Sequence, residues 1–179
     1  MIPITLRAMA DADAPVVAAL HAASWRSAYR GILSDHFLDH LADADRDAVW
    51  RQRLGAPAES RFGVVAQQGD AAVGFVYVVA HADPTWGTLI DNLHVSPQAR
   101  SAGIGARLLA AAADGMSLRG WDRRVHLWVY DGNVRARGFY VRMRGREVET
   151  IMKATPDGVA ARSWRVAWRD LDELLPPAE

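Results

Sequence analysis

The spacing of apolar residues divides the chain into a helical N-terminal part and a longer part that is rich in strands. A short strand is expected at residues 4–7, and Asp11 or Asp13 can cap the helix that follows. A break is expected at residues 30–31, and Ser34 can cap the helix after it. The predicted helices of this part cover residues 11–23, 34–41 and 45–54.

Downstream, the period of the apolar pattern changes to two, which is typical of strands. The predicted strands cover residues 62–67, 71–80, 88–95, 124–129, 148–154 and 163–168. Two helices interrupt them, at residues 103–113 and 133–143. In the second helix, Ala136, Phe139, Tyr140 and Met143 form one apolar stripe that predicts a core-facing side. The order of elements predicts an α/β (α+β) domain with a single mixed, mostly antiparallel sheet and helices on both faces.

Composition narrows the class of protein. The 179 residues, 50% of them hydrophobic, suit a single domain over residues 1–179. Because Lys+Arg and Asp+Glu both number 21, we expect no nucleic-acid partner. The absence of cysteine excludes disulfides, zinc–thiolate sites and cysteine nucleophiles, and we predict no metal site. No apolar run reaches the roughly 20 residues of a membrane span, and no signal peptide is recognisable, so a cytoplasmic protein without a membrane partner is expected.

The segment between the predicted strand at residues 88–95 and the helix after it indicates a binding site for an anion. The strand stops at Pro97, and two glycines, Gly103 and Gly105, open an apolar helix after a short loop. The first turn of a helix has N–H groups without intrahelical partners, and glycines let an anion approach them. A plain glycine-containing turn is the alternative. A third glycine and a Gly-Lys-Ser/Thr are both missing, which argues against a dinucleotide fingerprint and excludes a P-loop.

The loop Arg100-x-x-Gly103-x-Gly105, after a strand ending Leu93-x-Val95-x-Pro97, resembles the acetyl-CoA signature of the GCN5-related N-acetyltransferases. The resemblance covers nearly the whole chain and implies an acyl-CoA N-acyltransferase-like fold. It also implies that the loop amides hold the pyrophosphate of acetyl-CoA while the strand end pairs with the pantetheine arm. The residues so implied in binding acetyl-CoA are Leu93, His94, Val95, Arg100, Ser101, Ala102, Gly103, Ile104, Gly105 and Ala106.

A second segment, Asn133-x-x-Ala136-x-x-Phe139-Tyr140, resembles the strand–loop–helix motif of the same family. Asn133 can cap the helix, and the resemblance gives it a contact with the coenzyme A arm. Tyr140 is the predicted catalytic residue, because a phenol with a pKa of about 10 can stabilise or protonate the departing thiolate. The alternative for Tyr140 is a buried side chain with a backbone partner. The chain departs from the family where Arg146 follows Gly145, since relatives usually have Gly-Phe there.

The attacking amine must lose a proton, and the strand before the glycine loop offers candidates. Asp91 is the predicted base or the anchor of the amine's positive charge, although a solvated or ion-paired carboxylate is the alternative. A β-bulge near the strand end would change the face on which Asp91 lies. His94 ranks second as a base, and Glu147 and Glu149 are more distant candidates.

The predicted acceptor wall consists of Trp25 and Tyr29, which share a helical face and can contact a cationic amine. A packed aromatic pair is the alternative. A group of arginines surrounds the second motif, and we expect a solvated face from which one arginine reaches the 3′-phosphate of coenzyme A. These arginines are Arg135, Arg137, Arg142, Arg144 and Arg146.

The two motifs together predict an enzyme that moves the acetyl group of acetyl-CoA to a primary amine by direct attack in a ternary complex. A cysteinyl acyl-enzyme is impossible because the chain has no cysteine. The alternative is a non-catalytic acyl-CoA-binding sensor. The acceptor is a small-molecule or peptide amine of unspecified identity, and a homodimer stays open.

Overall fold

The computed structural model describes residues 2–56, 58–99 and 103–175, and within them seven strands form one mixed sheet. The strands are β1 (Ile4–Ala8), β2 (Arg61–Gln68), β3 (Ala71–Asp83), β4 (Gly87–Val95), β5 (Val125–Tyr130), β6 (Arg146–Ala154) and β7 (Ala160–Trp168). Their order in the sheet is β1-β2-β3-β4-β5-β7-β6. The α-helices are α1 (Ala14–Ala28), α2 (Ala42–Leu54), α3 (Ile104–Leu118) and α4 (Val134–Arg142).

The predicted elements are all present, but two helices are longer than the sequence pattern indicated. Helix α1 continues to Ala28, just before the break at Gly31, where φ is +80°, because Ser24 and Trp25 in its last turns are still buried. Helix α3 continues to Leu118 because Met116 packs against the core. Ser34 accepts a hydrogen bond from the Phe37 amide, as predicted, and a π-helical turn then leads into α2.

The two faces of the sheet carry different helices. Val76 and Val78 of β3 pack with α3 in one core, whereas Phe75 and Tyr77 pack with α1 and α2 in another. Because neighbouring residues of a strand point to opposite faces, the two cores lie on opposite sides. The fold prediction of one sheet with helices on both faces is therefore confirmed. None of the helices in the described ranges has the length and apolar character needed to cross a membrane.

The central feature of the sheet is the parallel pair β4 and β5, which stays together over two residues only. Thr88 pairs with Val125 and Leu89 with His126, after which the two strands separate. Strand β4 also has a β-bulge at Asp91, because its pairing with β3 skips that residue. The gap beyond Leu89 gives the sheet a cleft with unpaired backbone on the β4 side.

We predict that the junction where β4 begins is intolerant of any side chain at Gly87. Its φ is +76°, and an added Cβ would collide with the Arg124 carbonyl oxygen. Gly87→Ala should lower the free energy of unfolding by about 3 kcal/mol, since strain and collision add. Gly120→Ala is the matched control, with φ of +63° but open space, and should lose about 1 kcal/mol. Urea denaturation measures the free energy of unfolding of both variants. Equal losses in Gly87→Ala and Gly120→Ala would contradict the predicted collision.

Candidate active site

The gap between β4 and β5 widens into a cleft with a volume of about 750 Å³. Its walls come from the end of α1, from β4 and β5, and from the first turns of α3 and α4. This volume lies in the range of small-molecule and cofactor sites. Every described residue that the sequence implicated in acetyl-CoA binding lines the cleft. Arg100, Ser101 and Ala102 lie outside the described residues.

The N-terminus of α3 forms one end of the cleft. Gly103 caps it with a φ of +72°, and an added Cβ would meet nothing within 4 Å. The first intrahelical bond runs from the Arg107 amide to the Gly103 oxygen, 3.1 Å away. The amides of residues 104–106 therefore belong to the turn that lacks intrahelical acceptors, and the helix dipole favours an anion there.

Gly105 has a packing role that the sequence analysis did not anticipate. A Cβ at Gly105 would lie 3.1 Å from the Phe139 ring, so glycine lets α3 and α4 approach closely across the cleft. The two motifs thus meet in space. The stripe of α4 is confirmed, because Tyr140 is buried while Ala136, Phe139 and Met143 pack against the same core.

The exposed edge of β4 forms the floor of the cleft. Leu93, His94 and Val95 line it, beyond the point where β4 separates from β5. An extended ligand with amide groups can pair with such an edge as an added strand. The pantetheine arm and pyrophosphate of acetyl-CoA have these chemical features, in this order, and fit the edge and the α3 terminus.

Tyr140 stands on the α4 wall of the cleft and is 7% exposed. Its ring contacts the edges of Phe139 and Trp168, with centroid distances of 5.3 and 6.1 Å. Burial raises the pKa of Tyr140 well above its usual value, so the hydroxyl stays protonated at neutral pH. Asn133 accepts a hydrogen bond from the Ala136 amide at 3.3 Å, which confirms it as the cap of α4.

Asp91, at the bulge of β4, faces the cleft as half of an ion pair. Its Oδ2 lies 2.7 Å from Arg53 Nη2 and accepts a hydrogen bond from the Asn92 side chain at 2.8 Å. Lys153 is near enough for the charge of Asp91 to raise its pKa, although burial lowers that pKa more strongly. The carboxylate is therefore paired with one cation and within electrostatic range of a second.

His94 is joined to a group of polar residues on α1. Its Nδ1 lies 2.9 Å from Ser24 Oγ, and its ring stacks on His21 with a centroid distance of 4.3 Å. His21 Nδ1 accepts a hydrogen bond from Trp50 Nε1 at 3.0 Å, and burial lowers the pKa of His21 well below its usual value. His21 is therefore neutral. Sequence analysis missed Ser24, although its spacing of three from His21 on a buried helix face was a usable signal.

The two aromatic residues predicted to form the acceptor wall have different surroundings. Trp25 and Tyr29 pack together with a centroid distance of 5.8 Å, but only Tyr29 lines the cleft. Trp25 is 6% exposed, and the Arg46 guanidinium covers its ring at 4.2 Å. Tyr29 contacts Tyr130 edge-on, and Trp128 lines the cleft from β5.

The arginines around the second motif have separate surroundings. Arg135 and Arg142 line the cleft, whereas Arg137 pairs with Glu147 and Asp131. Arg146 pairs with Glu173. Glu147 is therefore engaged in an ion pair, and Glu149 likewise pairs with Arg165.

Known proteins resemble this chain in sequence and in fold. The profile of the acetyltransferase (GNAT) family matches residues 20–145. A protein of Mycobacterium tuberculosis named as a probable N-acetyltransferase is 31% identical over 143 residues, which cover 76% of each chain. The PaiA N-acetyltransferase of Thermoplasma acidophilum, solved with coenzyme A, has a TM-score of 0.69 and 18% identity, and covers 90% of this chain and 98% of its own. A GCN5-related N-acetyltransferase of Rhodopseudomonas palustris has a TM-score of 0.72 and 21% identity, covering 91% and 93%.

We predict that Gly103→Ala weakens the binding of coenzyme A about tenfold, because a methyl group enters the space before the α3 amides and strains the backbone. Isothermal titration with coenzyme A measures the change. Gly120→Ala, which has a similar positive φ at a distance from the cleft, should bind coenzyme A as the natural chain does. Equal affinity of all three proteins would remove Gly103 from the anion site.

Proposed function

The chain belongs to the acetyltransferase (GNAT) family, and we propose that its cleft between β4 and β5 carries out direct acetyl transfer from acetyl-CoA to an amine in a ternary complex. The observation that carries this proposal is the convergence of the α3 N-terminus, the unpaired β4 edge and Tyr140 on one cleft. We also propose that residues 1–179 form one acetyltransferase domain. Its support is that β1 and β7, near the two ends, enter the same sheet.

Acetyl-CoA is the co-substrate, and the proposed contacts follow from the shape of the cleft. The α3 amides from Gly103 to Ala106 receive the pyrophosphate, while the Leu93–Val95 backbone pairs with the pantetheine arm. Arg135 and Arg142 are the described cleft arginines that remain for the 3′-phosphate. The thioester then lies near the place where β4 and β5 separate, between Tyr140 and the end of α1.

Tyr140 is proposed to stabilise the leaving thiolate by donating a hydrogen bond. The amine nitrogen attacks the thioester carbon, the C–S bond breaks, and negative charge collects on sulfur. A thiol has an ordinary pKa of about 8.5, far below that of the buried phenol, so complete proton transfer from Tyr140 to sulfur is uphill. A donated hydrogen bond needs no such transfer and still lowers the barrier.

His94 is proposed to accept the amine proton, because the Ser24 hydroxyl at 2.9 Å holds its imidazole at the cleft. The neutral His21 beneath it adds no opposing charge when His94 becomes protonated. Asp91 is proposed as the anchor for the ammonium form of the amine. Its ion pair with Arg53 favours this role over that of proton acceptor.

The amine is proposed to enter on the α1 side of the cleft, past Tyr29 and Trp128. The Ser34 amide donates a hydrogen bond to Asp157 at 2.6 Å, which ties the loop after α1 to the β6–β7 turn. Either a small amine or the end of a peptide chain is proposed as the acceptor class.

Tyr140→Phe is predicted to lower kcat about 100-fold, because one hydrogen bond to the developing thiolate is lost. The Kd for coenzyme A should stay within about twofold, since the α3 amides and the β4 edge are unchanged. Tyr130→Phe is the matched control, because Tyr130 is not among the described residues that line the cleft. Steady-state kinetics and titration measure both values, and undiminished turnover in Tyr140→Phe would remove the phenol from the mechanism.

Two further variants separate the proton acceptor from the anchor. His94→Gln should lower kcat about 100-fold, because the proton acceptor is lost, and should leave KM for the amine within about twofold. Asp91→Asn should instead raise KM for the amine about tenfold and leave kcat within about twofold. Steady-state kinetics over a range of amine concentrations separates the two effects. A loss of kcat with Asp91→Asn together with a raised KM in His94→Gln would reverse the two assignments.

A further inference from the structure

A second cavity, with a volume of about 460 Å³, lies beside the sheet at the C-terminal end of α2. It is bounded by β1, β2, the loop that leads into β2 and the last turns of α3. Among the described lining residues, four arginines face a single carboxylate, that of Asp11. The lining arginines are Arg7, Arg53, Arg61 and Arg119.

Three residues of this cavity carry buried hydrogen-bond donors without partners among the described residues. These donors are the Tyr77 hydroxyl, Arg53 Nη1 and Arg61 Nε. Tyr77 is 3% exposed, and burial raises its pKa although the nearby charges of Arg61 and Arg53 oppose the shift. The phenol is therefore protonated and can donate. A buried donor without an acceptor is costly, and a ligand with several acceptor oxygens would reduce that cost.

The charges of the cavity are also unbalanced. Arg7 pairs with Asp13 at 2.6 Å, and Arg53 pairs with Asp91. Arg61 donates to the Ala56 carbonyl at 2.9 Å, and within the described ranges it has no carboxylate partner. Arg119 likewise donates to a carbonyl oxygen and covers the Phe62 ring at 4.3 Å. Two of the four guanidinium groups therefore lack a counter-ion in this part of the chain.

We propose that this cavity is a second binding site, which takes a carboxylate or phosphate group on Arg61, Arg53 and Tyr77. Guanidinium groups and a phenol supply only donors here, and these oxyanions supply only acceptors. The site is distinct from the acetyl-CoA cleft, whose anion-binding amides belong to the start of α3.

The two sites share one ion pair. Arg53 lines the cavity, and its partner Asp91 lines the cleft. An anion on Arg53 competes with Asp91 for the guanidinium and leaves that carboxylate available to the ammonium group of an acceptor. The anion is either a free small molecule, which then acts as an effector, or an acidic group of the acceptor itself.

Inorganic phosphate is the probe for binding, used on the full chain saturated with coenzyme A so that the α3 terminus is already filled. Calorimetric titration against chloride at equal ionic strength should show saturable binding, and Arg61→Gln should weaken it about tenfold. Arg51→Gln, in α2, is the matched control, because Arg51 is exposed and pairs with Asp47 outside the cavity. No saturable binding, or equal affinity in Arg61→Gln, would overturn the site.

Tyr77→Phe keeps the test decisive if Arg61→Gln does not fold. Because the hydroxyl has no acceptor among the described residues and only Arg61 near it as a donor, its removal should leave the urea midpoint unchanged or higher while phosphate binding weakens severalfold. A fall in the midpoint together with unchanged phosphate affinity would overturn the site.

Kinetics with two kinds of amine distinguishes the sources of the anion. If phosphate changes the rate on a neutral amine, the anion is a free effector. If Arg61→Gln raises KM only for amines that carry a carboxylate or phosphate, the anion belongs to the acceptor. Phosphate that binds without either effect would overturn the coupling through Arg53. The titration needs no acetyl transfer, so its result is independent of the proposed mechanism.

Discussion

The site depends on one constraint, which is that two parallel strands at the centre of the sheet cannot stay paired. After Leu89 the backbone of β4 loses its partner on β5, and unpaired backbone groups need another hydrogen-bond partner. An extended ligand with amide groups can pair with that edge. The bulge at Asp91 lies on the same stretch of β4, and the first turns of α3 and α4 line the gap. The strand geometry thus leaves an edge along which the proposed binding of a long, narrow co-substrate can occur.

Helices α1 and α2, on the face of the sheet opposite to α3, place polar side chains next to β4. His21, Ser24 and Trp50 bring a buried polar chain up to β4, where it meets His94. A histidine buried within an apolar core is costly to charge, so His21 remains neutral beneath His94. The same helices deliver Arg53 to Asp91. Chemistry at the cleft therefore depends on packing between helices that themselves contact little of the co-substrate side.

Much of the fold and one half of the site could be predicted from the sequence, because their signals are local. Gly103 and Asn133 each stand at a helix start that adjacent residues define. The other half depends on contacts between distant parts of the chain. Ser24 and His94 are 70 residues apart, and no local pattern shows that α1 crosses β4 at that place. The partner of Asp91 is likewise set by the crossing of α2, which is why the sequence left an anchor and a base equally open.

The charges around Asp91 bear on the proposed anchoring of an ammonium group. Arg53 pairs with the carboxylate and Lys153 is within its electrostatic range, so an ammonium group that binds Asp91 meets resident cations. Such an entry is favourable only if one resident cation finds another anion at the same time. Arg53 borders a cavity whose described residues include unsatisfied donors, and we propose that it is the cation that changes partners. The proposed exchange of ion pairs across Arg53 would link recognition of a positive acceptor to the presence of a negative group nearby.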